Sequence, residues 1–213
     1  MGILKFFDPC GNELTREEFI DFYSKCYYMS NNRDVEDTIE KLLRKDELSA
    51  EDIFMILAWK IGKISHKDST KDNLAFHKGW NKEKLETNVY GRNLNIEGIC
   101  KKLRELNNAT LDCYLDAFNG FVGLGPIYVI TLRFFATNGR EPIYDRFAYK
   151  ALYAIIEEKS PKKIKEIELT PQNAVVQYNA YCDALKRVFP EQWNERSVDQ
   201  ALWAYGHMLY VCE

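Results

Sequence analysis

The sequence predicts an all-α fold, and three observations support this prediction. Apolar residues recur at helical spacing along most of the 213 residues, whereas runs with the alternation of β-strands are few. The 11 glycines and 6 prolines are too scarce for the many tight turns of a sandwich or barrel. Helix-start signals recur along the chain. A chain of this length can bury a substantial core, so we expect a single all-α unit over residues 1–213.

Capping boxes mark three helix starts. In this motif a Ser or Thr and a polar residue three positions later each accept a hydrogen bond from the other's backbone amide. The three candidates are Thr15–Glu18, Ser49–Asp52 and Ser197–Gln200, and helically spaced apolar residues follow each of them. Asp34 is expected to cap a further short helix. Between Ser65 and Asn95 the periodicity fades, and we expect a long loop there.

The segment Leu111–Leu152 has the most informative pattern. One helix is expected before and one after a glycine-rich turn at residues 120–125, and Pro126 suits the first position of the second helix. That helix is expected to end near Ala136, before Asn138-Gly139. Other helices are expected near residues 96–106, 146–158, 170–188 and from 197 onward.

Composition restricts the location and chemistry of the protein. No apolar run approaches the ~20 residues that a membrane-spanning helix needs, and the N-terminus lacks the apolar core of a secretion signal. The six cysteines are scattered without a CxxC pair, and no Cys/His cluster has the spacing of a zinc or iron–sulfur site. We therefore expect a soluble, cytoplasmic protein without a membrane partner, a bound metal or a cofactor.

Net charge gives mixed indications about a nucleic-acid partner. The formal charge of −3 argues weakly against one, because phosphate binding usually requires positive charge. Between Lys60 and Glu105, however, eleven basic residues accompany six acidic residues. This stretch forms either a local basic face or a solvated lysine-rich loop, and the sequence leaves both open.

The glycine turn and the aspartate that follows it each have a chemical use. Gly123 and Gly125 allow positive φ and let a phosphate approach the backbone closely. The amides of such a turn, at a helix N-terminus, form an anion site. Asp145 stands at the next helix start, where capping bonds and the helix dipole favour its ionised form. An ionised carboxylate beside a pocket can stabilise a cationic sugar or orient a water.

This arrangement resembles the helix-hairpin-helix DNA glycosylase superfamily. The hairpin of that family reads Leu-Pro-Gly-Val-Gly-x-Lys-x-Ala, and the matching stretch here is Phe121-Val-Gly-Leu-Gly-Pro-Ile-Tyr-Val129. The family's catalytic aspartate follows its second glycine at the spacing of twenty residues that separates Asp145 from Gly125. Asp145 lies in Pro-Ile-Tyr-Asp-Arg, which is similar to the family's Val-Asp-x-His. The segment looks most like a divergent bacterial group related to the 8-oxoguanine glycosylases.

The resemblance implies two interleaved helical lobes around a helix-hairpin-helix motif at residues 111–137. One lobe is expected at roughly 35–132 and the other at roughly 1–34 plus 133–213. The resemblance is strong only over Leu111–Leu152, and the flanking segments agree with the family only in being helical.

The resemblance also implies removal of a damaged base from double-stranded DNA, with Asp145 as the catalytic residue. Ile127 stands where bifunctional members have a Schiff-base lysine, and an isoleucine is no nucleophile. We therefore expect a monofunctional glycosylase that uses water. The expected DNA contacts are Gly123, Leu124, Gly125, Ile127 and Arg146, and the aromatic residues expected to contact the base are Tyr144, Trp80 and Trp203.

Other interpretations stay open. Asp145 can be a plain N-cap, and Arg146 and Arg133 can pair with nearby acids instead of phosphate. His207 shares a helix with Trp203 and is more typical of a core or partly buried residue than of a catalyst. For the whole protein, the alternatives are a non-catalytic helix-hairpin-helix protein that binds nucleic acid, or an all-α protein-interaction component.

Overall fold

The computed structural model describes residues 4–30, 33–66, 74–76, 81, 83–84, 95–106, 108–121 and 123–211. The fold of these residues is all-α, as predicted, with short helical turns of 3₁₀ type at Leu42–Arg44 and Pro161–Lys163. No described helix is long and apolar enough to cross a membrane. The α-helices are α1 (Arg16–Ser30), α2 (Arg33–Lys41), α3 (Ala50–Lys60), α4 (Ile96–Leu106), α5 (Leu111–Phe118), α6 (Pro126–Ala136), α7 (Arg146–Glu157), α8 (Ala174–Val188) and α9 (Arg196–Val211).

The chain divides into two compact units. The first unit comprises residues 1–30, 142–169 and 173–213, and the second comprises residues 31–141 and 170–172. The division after residue 141 leaves α6 whole, whereas the boundary expected near residue 132 lies inside this helix. The glycine hairpin thus belongs to the second unit and Asp145 to the first.

The first unit packs its helices through aromatic side chains. Phe19 and Tyr23 of α1 meet Tyr205 of α9 with ring centroids 5.3 and 5.1 Å apart. Helix α9 also packs along α7, and Gly206 lies against the backbone of Phe147. A Cβ at Gly206 would lie 2.3 Å from the carbonyl oxygen of Phe147, so only glycine fits there. This contact fixes α9 against the first turn of α7.

The buried charged side chains of Glu36 and Arg133 in the second unit each have a partner. The Glu36 carboxylate is buried and accepts a hydrogen bond of 2.8 Å from the indole N–H of Trp59. Arg133 is also buried: its Nε donates to the carbonyl of Ala109 at 3.4 Å, and its guanidinium pairs with Glu141 at 3.4 Å. Such partners are needed because burying an unpaired charge is costly.

Two of the predicted capping boxes are confirmed. At the start of α1, the Thr15 amide donates to the Glu18 carboxylate at 2.8 Å, and the Glu18 amide donates to the Thr15 hydroxyl at 3.2 Å. At the start of α3, Ser49 and Asp52 form the same reciprocal pair at 2.9 and 3.2 Å. Both motifs are local in sequence, which explains why they could be recognised without the fold.

Three other predicted helix starts are wrong. Asp34 lies inside α2, where an acidic residue in the first turn still suits the helix dipole. Ser197 lies inside α9, because the carbonyl of Glu195 already accepts from the amides of residues 198 and 199. Helix α8 begins at Ala174 and not near 170, because residues 171–173 form a turn before it.

The prediction of a long loop over residues 65–95 is wrong in part. Strand β3 (Ile64–His66) pairs antiparallel with β4 (Leu74–Phe76). A second pair joins β1 (Phe6–Phe7) to β2 (Glu13–Leu14). Strands of two or three residues are too short to show an alternating pattern, so the sequence gives no signal for them. Most of the remaining residues between 67 and 94, including Trp80, lie outside the described residues.

Candidate nucleic-acid hairpin and carboxylate site

The hairpin between α5 and α6 is a series of tight turns. The amide of Phe121 donates to the carbonyl of Phe118 at 3.0 Å, and the amide of Leu124 donates to the carbonyl of Phe121 at 3.2 Å. Gly123 has a φ of 84°, which favours glycine, whereas Gly125 has a φ of −69° and serves as the N-cap of α6. The positive φ that the sequence suggested for both glycines therefore occurs only at Gly123.

Backbone amides on the α6 side of the hairpin have no acceptor among the described residues. Within the described part of the chain, the N–H groups of Gly123, Gly125 and Ile127 donate to no protein oxygen. Leu124 is buried and anchors the hairpin, while both glycines are exposed. A Cβ built at Gly125 would meet nothing within 4 Å, so the space beside this residue is open to a ligand atom. Unused amides at a helix N-terminus can bind an anion.

The hairpin segment carries no positive charge of its own. The sequence from Asn108 to Leu132 contains no Lys or Arg, and α5 contributes the exposed acids Asp112 and Asp116. Arg133 does not compensate, because it is buried and paired with Glu141. Of the two alternatives for Arg133, the structure shows the pairing with an acid. Anion binding at the hairpin would therefore depend on the backbone amides.

Asp145 is the N-cap of α7. Its carboxylate accepts a hydrogen bond of 2.9 Å from the amide of Phe147, and its carbonyl accepts one of 2.8 Å from the amide of Tyr149. The side chain is half-buried and its backbone is extended. Capping holds the carboxylate in one orientation, which satisfies the helix terminus and is also what a catalytic carboxylate requires.

The aromatic candidates near Asp145 differ in exposure. Tyr144 is buried, with its ring 5.7 Å from that of Tyr149 and 5.2 Å from that of Tyr181. Burial, with the nearby charges of Asp199 and Asp145, raises the pKa of Tyr181 far above its ordinary value. The tyrosine cluster is therefore neutral, and Tyr144 would have to leave its packing to stack on a base.

Trp203 and Arg146 lie closer to solvent. The Trp203 ring is half-buried and stacks in parallel on His207 at 4.5 Å. The Arg146 side chain is exposed, with its guanidinium 4.7 Å from the centroid of the Phe147 ring. The expectation that His207 is partly buried beside Trp203 is confirmed. The spacing of Trp203 and His207 by one helical turn indicates in the sequence that their side chains can meet. No such signal points to Phe147, which sequence reasoning did not find.

The charges of the basic stretch are partly neutralised where the structure describes them. On α4, Lys101 and Lys102 pair with Glu105 at 3.9 and 3.2 Å, and Arg104 pairs with Glu47 at 3.3 Å. These exposed pairs suit a solvated helix surface. The lysines between residues 67 and 82 lie outside the described residues, so the alternative of a basic face there stays a prediction.

Thiol and metal chemistry have little support among the described residues. No group of three or more His, Cys, Asp or Glu side chains in this part of the chain is arranged to hold a metal ion. Burial raises the pKa of the Cys26 and Cys100 thiols, which keeps them protonated near neutral pH. The described cysteines, all free thiols, are Cys10, Cys26, Cys100, Cys113 and Cys182.

Comparisons with known proteins add no relative: no protein-family model, no curated protein and no solved structure matches the chain.

Proposed function

We propose that the protein removes a damaged base from double-stranded DNA by hydrolysing its N-glycosidic bond, without cleaving the strand. The observation that carries this proposal is the hairpin: the amides of Gly123, Gly125 and Ile127 have no acceptor among the described residues, and the space beside Gly125 is open. Asp145 follows Gly125 at the spacing of the resembled family. Double-stranded DNA as partner and a cytoplasmic location belong to the same proposal.

The hairpin binds a phosphate of the DNA backbone. Its three amides point their partial positive charge at the phosphate oxygens, and the missing side chain of Gly125 allows close contact. Phosphate contacts position a protein on the duplex without reading sequence. The target nucleotide then rotates out of the stack, because its glycosidic bond cannot be reached inside the duplex.

Asp145 acts on the sugar of that nucleotide. As the C1′–N bond breaks, the base leaves with the electron pair and positive charge develops on the sugar, which the carboxylate stabilises. A water then bonds to C1′ through its oxygen, and its proton passes to the carboxylate or to solvent. Ile127 has no amine to form an imine, so the product is an abasic site in an intact strand.

A lesion panel tests the proposal. Duplexes carrying 8-oxoguanine, uracil, hypoxanthine or an alkylated purine are incubated with the protein and then treated with alkali, which cleaves abasic sites. We expect cleavage at one lesion after alkali and none without it. Cleavage without alkali would contradict the monofunctional mechanism.

Non-catalytic DNA binding is the second candidate, and the net charge of −3 and the hydrocarbon side chain of Ile127 both leave it open. It predicts duplex binding that weakens with salt and no base release from any lesion. The absence of both binding and base release would contradict both candidates and favour a protein-interaction component.

A further inference from the structure

Three aromatic side chains of the first unit, Phe147, Trp203 and His207, form a cluster that we call the aromatic platform. The rings of Trp203 and His207 stack with 4.5 Å between centroids and 8° between planes. The Phe147 ring meets both edge-on, at 5.9 Å from Trp203 and 5.0 Å from His207. All three side chains are half-buried, so the platform is held by packing and still reaches solvent.

The polar atoms of the platform are unused by the protein. Among the described residues, neither the imidazole nitrogens of His207 nor the indole N–H of Trp203 has a hydrogen-bond partner. None of these atoms is buried without a partner, so they are open to solvent and a ligand can reach them. The neighbouring Arg146 guanidinium lies over Phe147 and pairs with no carboxylate of the described chain. The platform thus presents donors and an acceptor that a ligand can use.

The platform lies at the same end of α7 as Asp145. The Asp145 carboxylate accepts from the amide of Phe147 at 2.9 Å, and the backbone of Gly206 is pressed against the carbonyl of Phe147. His207 follows Gly206 directly, so its position relative to the N-terminus of α7 is fixed by backbone packing. Phe147 therefore contacts both groups: its backbone amide donates to the Asp145 carboxylate, and its ring meets the His207 imidazole.

We infer that the aromatic platform binds the base of the nucleotide on which Asp145 acts, and that His207 is the residue that distinguishes one base from another. This inference rests on the proposed function. The site then selects a planar heteroaromatic ring, which it binds by stacking and by hydrogen bonds to the His207 imidazole.

Trp203 and His207 have different parts in this recognition. Stacking on an indole tolerates every base, because all bases have a π-face. Loss of the indole is therefore expected to lower the binding affinity for every base by about tenfold or more. A neutral imidazole has one donor and one acceptor nitrogen, so it favours a base edge with the complementary pair. Loss of these hydrogen bonds is expected to lower the binding affinity for the preferred base by about tenfold and to leave the affinity for the other bases unchanged.

Proton NMR of the full chain with free nucleosides tests the inference without requiring base release. The chain has three histidines, and His207→Phe identifies the His207 imidazole signals. Purine and pyrimidine nucleosides are then titrated into the unsubstituted protein and into its Asp145→Asn variant. We expect at least one nucleoside to shift the His207 signals saturably in both proteins.

Trp203→Leu, with Trp193→Leu as matched control, measures the stacking contribution. Trp193 belongs to the same unit and packs against Lys186, away from the platform. We expect about tenfold weaker nucleoside binding for Trp203→Leu and no change for Trp193→Leu. Equal binding by the two variants, or no shift of the His207 signals by any nucleoside, overturns the inference. Base release that depends on Asp145 would still uphold the proposed function, whereas shifted His207 signals without base release would overturn that function alone.

Discussion

At the scale of the residue, Asp145 combines a structural and a proposed chemical role. Its carboxylate satisfies the amide of Phe147 at 2.9 Å, and the same bond holds it in one orientation. The two roles can be separated because asparagine caps a helix as well as aspartate does but carries no charge.

Asp145→Ala is expected to lower the free energy of unfolding by about 1 kcal/mol, because the amide of Phe147 loses its acceptor. Asp145→Asn is expected to change it by only a few tenths. Denaturant unfolding followed by circular dichroism measures both. Equal losses in the two variants would show that the negative charge, and not the cap, stabilises the helix start.

Asp52 is expected to give the protein part of its pH dependence. Burial alone would raise the pKa of Asp52, but hydrogen bonds from Lys45 and Ser49 hold it below its ordinary value of 3.8. A carboxyl whose pKa is lowered by folding stabilises the fold above its unfolded pKa. This contribution is lost as the pH falls from about 5 through the lower pKa of the folded state.

The measurement for Asp52 compares the pH dependence of unfolding in the unsubstituted protein and in Asp52→Asn. The unsubstituted protein should lose more stability than the variant as the pH falls from about 5 to about 2. The two proteins should lose stability equally only if neither the Lys45–Asp52 contact of 2.7 Å nor the hydrogen bonds from Ser49 contribute in solution.

At the scale of the element, the phosphate contact proposed for the hairpin depends on Gly125, whereas the fold itself does not require a glycine there. Gly125 has a φ of −69°, which alanine adopts readily, and a Cβ there meets no protein atom. Gly125→Ala should therefore fold, at a cost of about 1 kcal/mol or less for the weaker N-cap.

The methyl group of Gly125→Ala would occupy the space proposed for a phosphate. We expect duplex affinity to fall by about tenfold or more, the value of one hydrogen bond to a charged group. Fluorescence anisotropy with a labelled duplex measures it. Unchanged affinity would remove the hairpin from the DNA interface.

Helix packing in the first unit depends on Gly206. Alanine would gain about 1 kcal/mol of helix propensity, but its Cβ would lie 2.3 Å from the Phe147 carbonyl, which cannot move without distorting α7. We expect Gly206→Ala to lose about 2 kcal/mol or more in net stability.

Gly98→Ala provides the matched control in a helix of the second unit. A Cβ at Gly98 would meet only the side chain of Asn95, at 2.6 Å, and this side chain can rotate away. Asn95 precedes this helix and its side chain accepts a hydrogen bond of 2.8 Å from the amide of Gly98. The loss of this N-cap bond should nearly cancel the gain in helix propensity. Thermal unfolding should therefore distinguish the two alanine variants, and similar melting temperatures would contradict the packing argument.

At the scale of the whole molecule, the sequence predicts what is local and misses what is not. The boxes at Thr15 and Ser49 are read correctly because each motif lies within four residues. Contacts such as that of Phe147 with His207 join residues sixty positions apart, and no local pattern reveals them. The pairing of Arg133 with Glu141 likewise depends on burial, which only the folded unit defines.

The candidate site likewise combines features that are local in sequence with features that depend on the fold. The hairpin and the N-cap position of Asp145 are local features and are found where predicted. The unused amides, the open space at Gly125 and the burial of Tyr144 are properties of packing. The sequence could not supply them, because they depend on which atoms the fold brings near.

The most direct test of the proposed function is the rate of base release by Asp145→Asn under single-turnover conditions, on the lesion that the unsubstituted protein prefers. Asp183→Asn is the matched control, because Asp183 is exposed on α8 in the same unit. The account predicts a loss of about 100-fold or more for Asp145→Asn, the value of a positioned proton-transfer or electrostatic group, and an unchanged rate for Asp183→Asn. Equal rates in the two variants, with folding intact, would show that Asp145 is only a helix cap.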